Sequence, residues 1–322
     1  MSGIGRPPAA SVAAAAAVLA VVAAAAAACG RSTPAGLAPA PPTTAAPSPT
    51  TTEAVPTGRG VLVTGSGVVL PVLSGAAGRW TVRTPCGQQA VVTAGTPVPR
   101  ATIVLDPGHG GDERGAVSPG GLTESTVNLA VARRASATLA AAGVAVQLTR
   151  QADYDLAIPT RAAIAEALSP RALVSLHHNA EPDGPHAGPG TETYYQQASP
   201  ESKRLAGLVY EEVARALAAY RVAWVADTDA GAKYRPGARG DYYAILRLPS
   251  AIPTVLAELA YITNPPEADL LARPDVQAVE GDAVARGILR WLRTSDPGSG
   301  FTVPYPRTEP AGGTVTCTDP RL

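Results

Sequence analysis

Four residues able to bind metal or move protons follow one another at comparable places in the chain. His109 lies in Asp106-Pro107-Gly108-His109-Gly110-Gly111, directly after the strand-like run Thr102-Ile103-Val104-Leu105. Glu124 opens a helical stretch, His177 follows Ala172-Leu173-Val174-Ser175-Leu176, and Glu258 follows Pro253-Thr254-Val255-Leu256-Ala257. Two neutral imidazoles and one carboxylate make an open zinc site, in which three protein ligands leave a position for water. Zinc lowers that water's pKa to about 7, and a carboxylate outside the metal's shell can take its proton and return it to a leaving amine. Taken singly, each residue also has a plainer reading. A lone histidine is more often a hydrogen-bonded structural group, and a carboxylate in a first helical turn favours the helix dipole. Glu258 is harder to assign to packing, because a buried carboxylate without a partner is costly.

The elements that would position these residues alternate strand with helix from about Arg100. The pattern predicts strand 102–106, a helix over 124–142 ending at the C-cap glycine Gly143, strand 144–149, a helix over 157–168 and strand 172–176. A strand over 191–195, a long helix over 200–219, an irregular Gly-rich stretch 225–241, strand 253–258 and a final helix over 274–293 follow. Such alternation implies an α/β fold: a single twisted, mostly parallel sheet flanked by helices. Three of the four residues then fall where an apolar strand ends, the edge at which open sheets build their sites. Upstream, the short β-rich runs between Val61 and Val98 predict a small N-terminal β-hairpin or meander packed on the main domain.

The ends of the chain carry different information. An apolar run from Val12 to Ala28 follows Arg6 and stops at Cys29, as in an export signal. Ala26-Ala27-Ala28-Cys29 is a degenerate lipobox, with Ala26 where Leu or Val is usual, so Cys29 is expected to carry a lipid anchor on the outer face of the cytoplasmic membrane. Residues 30–59, rich in Pro, Thr and Ala, read as a disordered tether, able to extend about 3 Å per residue where polyproline-like. With Cys29 set aside, Cys86 and Cys317 remain as a pair outside the cytoplasm, bridging the 60–99 extension to the 294–322 tail across a catalytic domain at 100–293. Formal net charge is zero and no basic run occurs, which excludes nucleic acid as a partner. Arg outnumbers Lys 24 to 2, a bias of GC-rich coding rather than of function. A monomer is expected.

Beyond these four residues, Gly121-Leu122-Thr123-Glu124 with Asn128-Leu129, Ser175-Leu176-His177-His178-Asn179-Ala180, Gly190-Thr191-Glu192-Thr193-Tyr194-Tyr195 and Val255 to Asn264 follow the Asp106–Gly111 motif in order. Together they resemble the zinc-dependent N-acetylmuramoyl-L-alanine amidases of the amidase-3 type, in an actinobacterial-like exported form, over about residues 100–293. The resemblance implies that His109, Glu124 and His177 hold Zn2+ and that Glu258 is the catalytic carboxylate. It also implies a sheet of about six strands, and a substrate in peptidoglycan or muropeptide fragments, cut between N-acetylmuramic acid and L-alanine. His178 and Ala260-Tyr261 depart from the commoner residues of the pattern without touching a proposed ligand. The resemblance also implies that autoinhibited members carry a long helical insertion over the zinc; between 195 and 258 this chain has one ordinary helix and the Gly-rich 225–241 stretch, which leaves a cleft that is open or gated by 225–241.

Several neighbours are assigned more modestly. His178 packs beside the site or lines the cleft, and His186 is exposed in the 181–190 loop. Asp106 either orients His109 or caps a turn, Arg247 and Asn264 are candidates for substrate contact or support, and Asp112 and Glu113 read as a polar loop. Two rivals stand beside the amidase: a catalytically silent wall-binding or regulatory protein on the same fold, and a zinc hydrolase of another amide. Without a wall-binding repeat, small wall fragments are the favoured substrate.

Overall fold

The computed structural model describes residues 60–249, 251–304 and 316–322. The expected export signal, Cys29 and the 30–59 tether lie outside the described residues.

In chain order, β1 (Val61–Val63), β2 (Val69–Ala76), β3 (Arg79–Arg83), β4 (Gln89–Val92) and β5 (Thr96–Val98) pair in the order β4-β3-β2-β1-β5. All four pairings are antiparallel, so the N-terminal segment is a five-stranded sheet rather than one hairpin. The main unit continues with β6 (Ile103–Pro107), α1 (Glu124–Ala141), β7 (Val146–Leu148), α2 (Ile158–Leu168) and β8 (Ala172–Asn179). Next come β9 (Gly184–His186), β10 (Glu192–Tyr195), α3 (Pro200–Leu217), β11 (Trp224–Ala226), β12 (Gly231–Lys233), β13 (Pro236–Gly237) and β14 (Gly240–Asp241). The last elements are α4 (Ala244–Arg247), β15 (Thr254–Tyr261), α5 (Pro265–Leu271) and α6 (Pro274–Arg293).

The central sheet has six strands in the order β12-β10-β15-β8-β6-β7. Only the β10–β15 pairing is antiparallel. Strands buried on both faces need apolar residues at every position, and side-chain alternation then divides them between two cores. Ile103, Leu105, Val174, Leu176, Val255 and Ala257 face α1, α3 and α6. Val104, Leu173, Tyr194 and Leu256 face α2, α4 and the N-terminal sheet. That second core explains why the extension belongs to the domain: Val61, Leu62, Val69 and Leu70 are fully buried against it. Each such side chain contributes about 1.5–3 kcal/mol on leaving water.

Several sequence expectations are corrected. β8 and β15 run past His177 and Glu258, to Asn179 and Tyr261, so neither residue closes its strand. In β15 the continuation depends on a register irregularity between Glu258 and Tyr261. The stretch 225–241 is largely paired rather than irregular, and two short helices, α4 and α5, were not expected. Gly143 does end α1: it has φ 81°, and the amides of Gly143 and Val144 return to Ala140 and Leu139 carbonyls. Among the described residues no helix is long and apolar enough to cross a membrane.

The helical layer depends on two glycines of α6. A Cβ on Gly281 would lie 2.7 Å from the Val131 carbonyl of α1, and one on Gly287 would lie 2.7 Å from Cα of Val209 in α3. Alanine is the better helix former by about 1 kcal/mol, yet here it must push two backbones apart. Gly287→Ala is expected to lower the unfolding free energy by about 1–3 kcal/mol, read by chemical denaturation, because overpacking outweighs propensity.

Candidate metal centre and active site

β6 ends in a turn that could not form without help. Pro107 is the last residue of the strand, and Gly108 follows with no room for a side chain: a Cβ there would lie 2.2 Å from the His177 ring. His109 then adopts φ 60°, a left-handed conformation that costs a non-glycine residue about 1–2 kcal/mol. Two buried arginines hold the turn by its carbonyl oxygens. Arg161 of α2 donates to the Pro107 and His109 carbonyls and to Asp106 Oδ1, each at 2.8 Å. Arg150 donates to the Pro107 and Gly108 carbonyls at 3.0 Å and to that of Ser125, at the start of α1, at 2.7 Å. Asp106 neither touches His109 directly nor merely caps a turn. It anchors Arg161 and also accepts from Thr149 Oγ1 and Ser175 Oγ. Burial pushes its carboxyl up, but Arg161 and the two hydroxyls outweigh this and hold it below the usual carboxylate range.

His109, Glu124 and His177 offer donor atoms that all lie within 4.8 Å of one another. His109 Nε2 is 3.1 Å from Glu124 Oε2, and His177 Nδ1 is 3.0 Å from Glu124 Oε1. Ligands about 2.0–2.1 Å from a tetrahedral zinc sit about 3.3 Å from each other, so this spacing suits that ion. The rings of His109 and His177 meet edge to face at 4.8 Å. Glu124 is held for the purpose by backbone amides, Ala116 N at 2.9 Å and His178 N at 3.1 Å. A Cβ on Gly115 would lie 2.4 Å from Glu124 Oε2 and 2.6 Å from the His109 ring, which accounts for that glycine.

Glu113 overturns its reading as part of a polar loop. Its carboxylate lies 2.6 Å from His109 Nδ1, leaving Nε2 to face Glu124 and His177. A carboxylate on the far nitrogen of a ligating histidine fixes the tautomer and raises its basicity. Its only sequence signal is position, four residues after His109 in a glycine-rich turn. Burial pushes His109 down, but the hydrogen bonds to Glu113 and Glu124 raise it to about 10. Burial pushes Glu124 up, and the two histidines outweigh it, holding Glu124 well below its usual range. His177 is lowered by its burial, against the opposing pull of Glu124.

Glu258 enters through sheet register. It is the direct partner of His177 on β8 and of Glu192 on β10. Partners across neighbouring strands share a face, about 4.8 Å apart. That face also carries Leu256, Leu173, Ser175 and Asp106, so the Asp106 anchor, His177 and Glu258 are aligned by period-two alternation alone. Glu258 is half-buried. On its far side Glu192 takes hydrogen bonds from the Tyr194 and Tyr261 hydroxyls and lies 3.2 Å from Lys233 Nζ.

The remaining candidates offer no donor to the centre, although His178 packs beside it as expected, its partner Asn128 donating to Glu124 Oε1 at 3.3 Å. His178 points to the opposite core, with Nδ1 2.7 Å from Asn128 Oδ1 and Nε2 3.4 Å from Glu280. His186 is exposed and pairs with the Gly188 carbonyl. Arg247 donates to the Asp241 and Tyr242 carbonyls, and Asn264 to the Ala223 carbonyl and Glu267. Both brace loops. The 225–241 stretch is tied down through Lys233 and Arg235, which are 0% and 1% exposed.

Comparison with known proteins gives an independent reading. Residues 103–290 match the family model described as N-acetylmuramoyl-L-alanine amidase. The chain is 34% identical over 206 residues to the uncharacterized protein YqiI of Bacillus subtilis, covering 63% of this chain and 88% of that one. It is 30% identical over 210 residues to the germination-specific N-acetylmuramoyl-L-alanine amidase of the same organism, covering 61% and 81%. Among solved structures, N-acetylmuramoyl-L-alanine amidase AmiC2 of Nostoc punctiforme superimposes with a TM-score of 0.50 at 33% identity, over 59% of this chain and 96% of that one.

The Arg161–Asp106 pair is 5% and 1% exposed, so removing one partner strands the other charge. Arg161→Leu is expected to cost about 3–5 kcal/mol in chemical denaturation at neutral pH. Because the folded-state pKa of Asp106 is depressed, the pair's contribution is present above the ordinary carboxylate range and is lost as pH falls through the depressed value. The parent and Arg161→Leu should therefore converge in stability under strongly acid conditions, and curves that stay parallel throughout would contradict the pairing.

Proposed function

This chain belongs to the N-acetylmuramoyl-L-alanine amidase family, and from that membership we propose a zinc-dependent enzyme in which His109, Glu124 and His177 hold the metal and Glu258 is the catalytic acid and base. The amidase class rests on the family match over 103–290. Support for the zinc reading is the convergence of two imidazoles and a carboxylate within 4.8 Å, with Glu258 one strand away. Bound zinc would supply Lewis acidity to the amide carbonyl and lower the pKa of a coordinated water to about 7.

The chain's own residues supply the rest. Glu258 takes the proton of the attacking water as its oxygen adds to the lactyl carbonyl carbon. The same proton passes to the L-alanine nitrogen as the C–N bond breaks, leaving a muramyl carboxylic acid and a free stem-peptide amine. Glu113 holds the His109 ring, Arg161 its carbonyl and Arg150 the Gly108 carbonyl before it, so the ligand is set before substrate arrives. Export with a lipid anchor at Cys29, action as a monomer and preference for released wall fragments complete the proposal.

Incubating the full chain with purified muropeptides and reading products by mass should give stem peptide beginning at L-alanine. Glu258→Gln is expected to lower turnover by about 10²–10⁴-fold while keeping one zinc per chain. His177→Ala should lose both zinc and turnover. A Glu258→Gln chain that cleaves at the parent rate would remove Glu258 from the mechanism.

A further inference from the structure

The loop that carries Glu113 is held at Gly111 by Asp153, which accepts its amide at 2.9 Å, and nearer Glu113 by one buried carboxylate. Asp155, 5% exposed, accepts the Asp112 amide at 2.7 Å and the Glu113 amide at 3.4 Å through Oδ1. The fit leaves no slack, since a Cβ on Gly111 would lie 2.4 Å from both the amide nitrogen and Oδ1 of Asp155. The turn is closed by the Gly110 amide donating to the Glu113 carbonyl at 2.7 Å. Glu113 so placed reaches His109 Nδ1.

The second oxygen of Asp155 is taken by the far end of the chain. Thr318 N donates to Oδ2 at 2.9 Å. Thr318 is exposed, so burial does little to hold it. What holds it lies on either side: Cys317 is disulfide-bonded to Cys86 across 231 residues, and Asp319 accepts from Thr84 Oγ1 and Cys86 N, both at 2.8 Å. A covalent tie reduces the entropy lost when such a segment is ordered.

We propose that the disulfide-fastened tail is part of the metal centre's support: Thr318 completes the hold on Asp155, and Asp155 is a positioning residue that sets Glu113 against His109. This rests on the zinc reading above. The Cys86–Cys317 bridge therefore fixes more than the ends of the domain. It is connected to a metal ligand through Thr318, Asp155 and Glu113, each in hydrogen-bond contact with the next.

The test is zinc affinity of the full chain by competition with a chromophoric chelator, alongside thermal melting of the metal-free chain. Asp155→Ala is expected to weaken zinc binding by up to about 10–100-fold, the effect of losing Glu113 as the outer-shell partner of His109. The paired Cys86→Ser, Cys317→Ser variant should weaken it in the same direction by less, and adding Asp155→Ala to it should give no more than Asp155→Ala alone. Thr318→Pro removes the one amide donor and keeps the bridge, so it serves if the cysteine variant melts early; it too should weaken zinc binding. Parent-like affinity in Thr318→Pro, or effects of the bridge and Asp155 that multiply in full, would overturn the proposal. A parent chain that takes up no zinc would instead overturn the metal reading beneath it.

Discussion

The arrangement turns on a buried cation holding carbonyl oxygens. Arg161, fixed to Asp106, binds the carbonyls on both sides of Gly108, and Arg150 binds the one between them and ties it to the first turn of α1. A left-handed histidine is intrinsically unfavourable, and an imidazole free to leave that conformation would be a poor ligand. Guanidinium groups suit the task because their donors form a rigid planar fork that stays charged. The ion pair is costly to desolvate, so its value lies in placement more than in net stability. Without it, β6 would still form from Ile103, Val104 and Leu105, but its end would not aim His109.

The sheet contributes the other half of the geometry without special devices. Alternation sends Asp106, Ser175, His177 and Glu258 to one face, and parallel register brings His177 opposite Glu258. His178, one residue on, goes to the other face and into a structural network with Asn128 and Glu280. Adjacent histidines thus receive different roles from strand geometry alone. A one-residue slip of β8 would exchange them.

This explains what could be read from the sequence. Helices α3 and α6 and the apolar strands were visible because their patterns are long and regular, α1, whose faces are blurred by alanine, was legible from Glu124 at its start and Gly143 at its end, and the motif order pointed to His109, Glu124, His177 and Glu258. The β8 and β15 ends were misplaced because polar side chains interrupt the apolar pattern while the backbone pairing continues. Glu113, Arg150, Arg161 and Asp155 were missed for a different reason. Their partners are mainly backbone carbonyls, amides or a residue met only through a turn, and such contacts leave no periodic or compositional trace. Arg161 sits in a helix whose other residues are mostly apolar, where a charged residue facing the sheet needed an anion, and Asp106 was the one waiting there.

A second group of acids shows why donor chemistry, not proximity, separates a metal centre from a structural knot. Glu192, Asp227 and Asp229 also come within 4.8 Å of one another, beside Glu258. Here, however, the ammonium of Lys233 lies 3.2 Å from Glu192 and is bonded to Asp229, with Arg235 3.6 Å from Asp229. Burial pushes the Glu192 carboxyl up, and Lys233 pulls against it. A divalent ion would have to displace a fully buried lysine that already pairs with two of the three acids, and that lysine would then need a partner of its own. The first cluster has two imidazoles where this one has an ammonium and a guanidinium; an imidazole can give up its ring proton and ligate in place, whereas Lys233 would have to leave the cluster. The Lys233 cluster instead locks β12 to β10, giving the sheet edge beside Glu258 a rigid, polar wall.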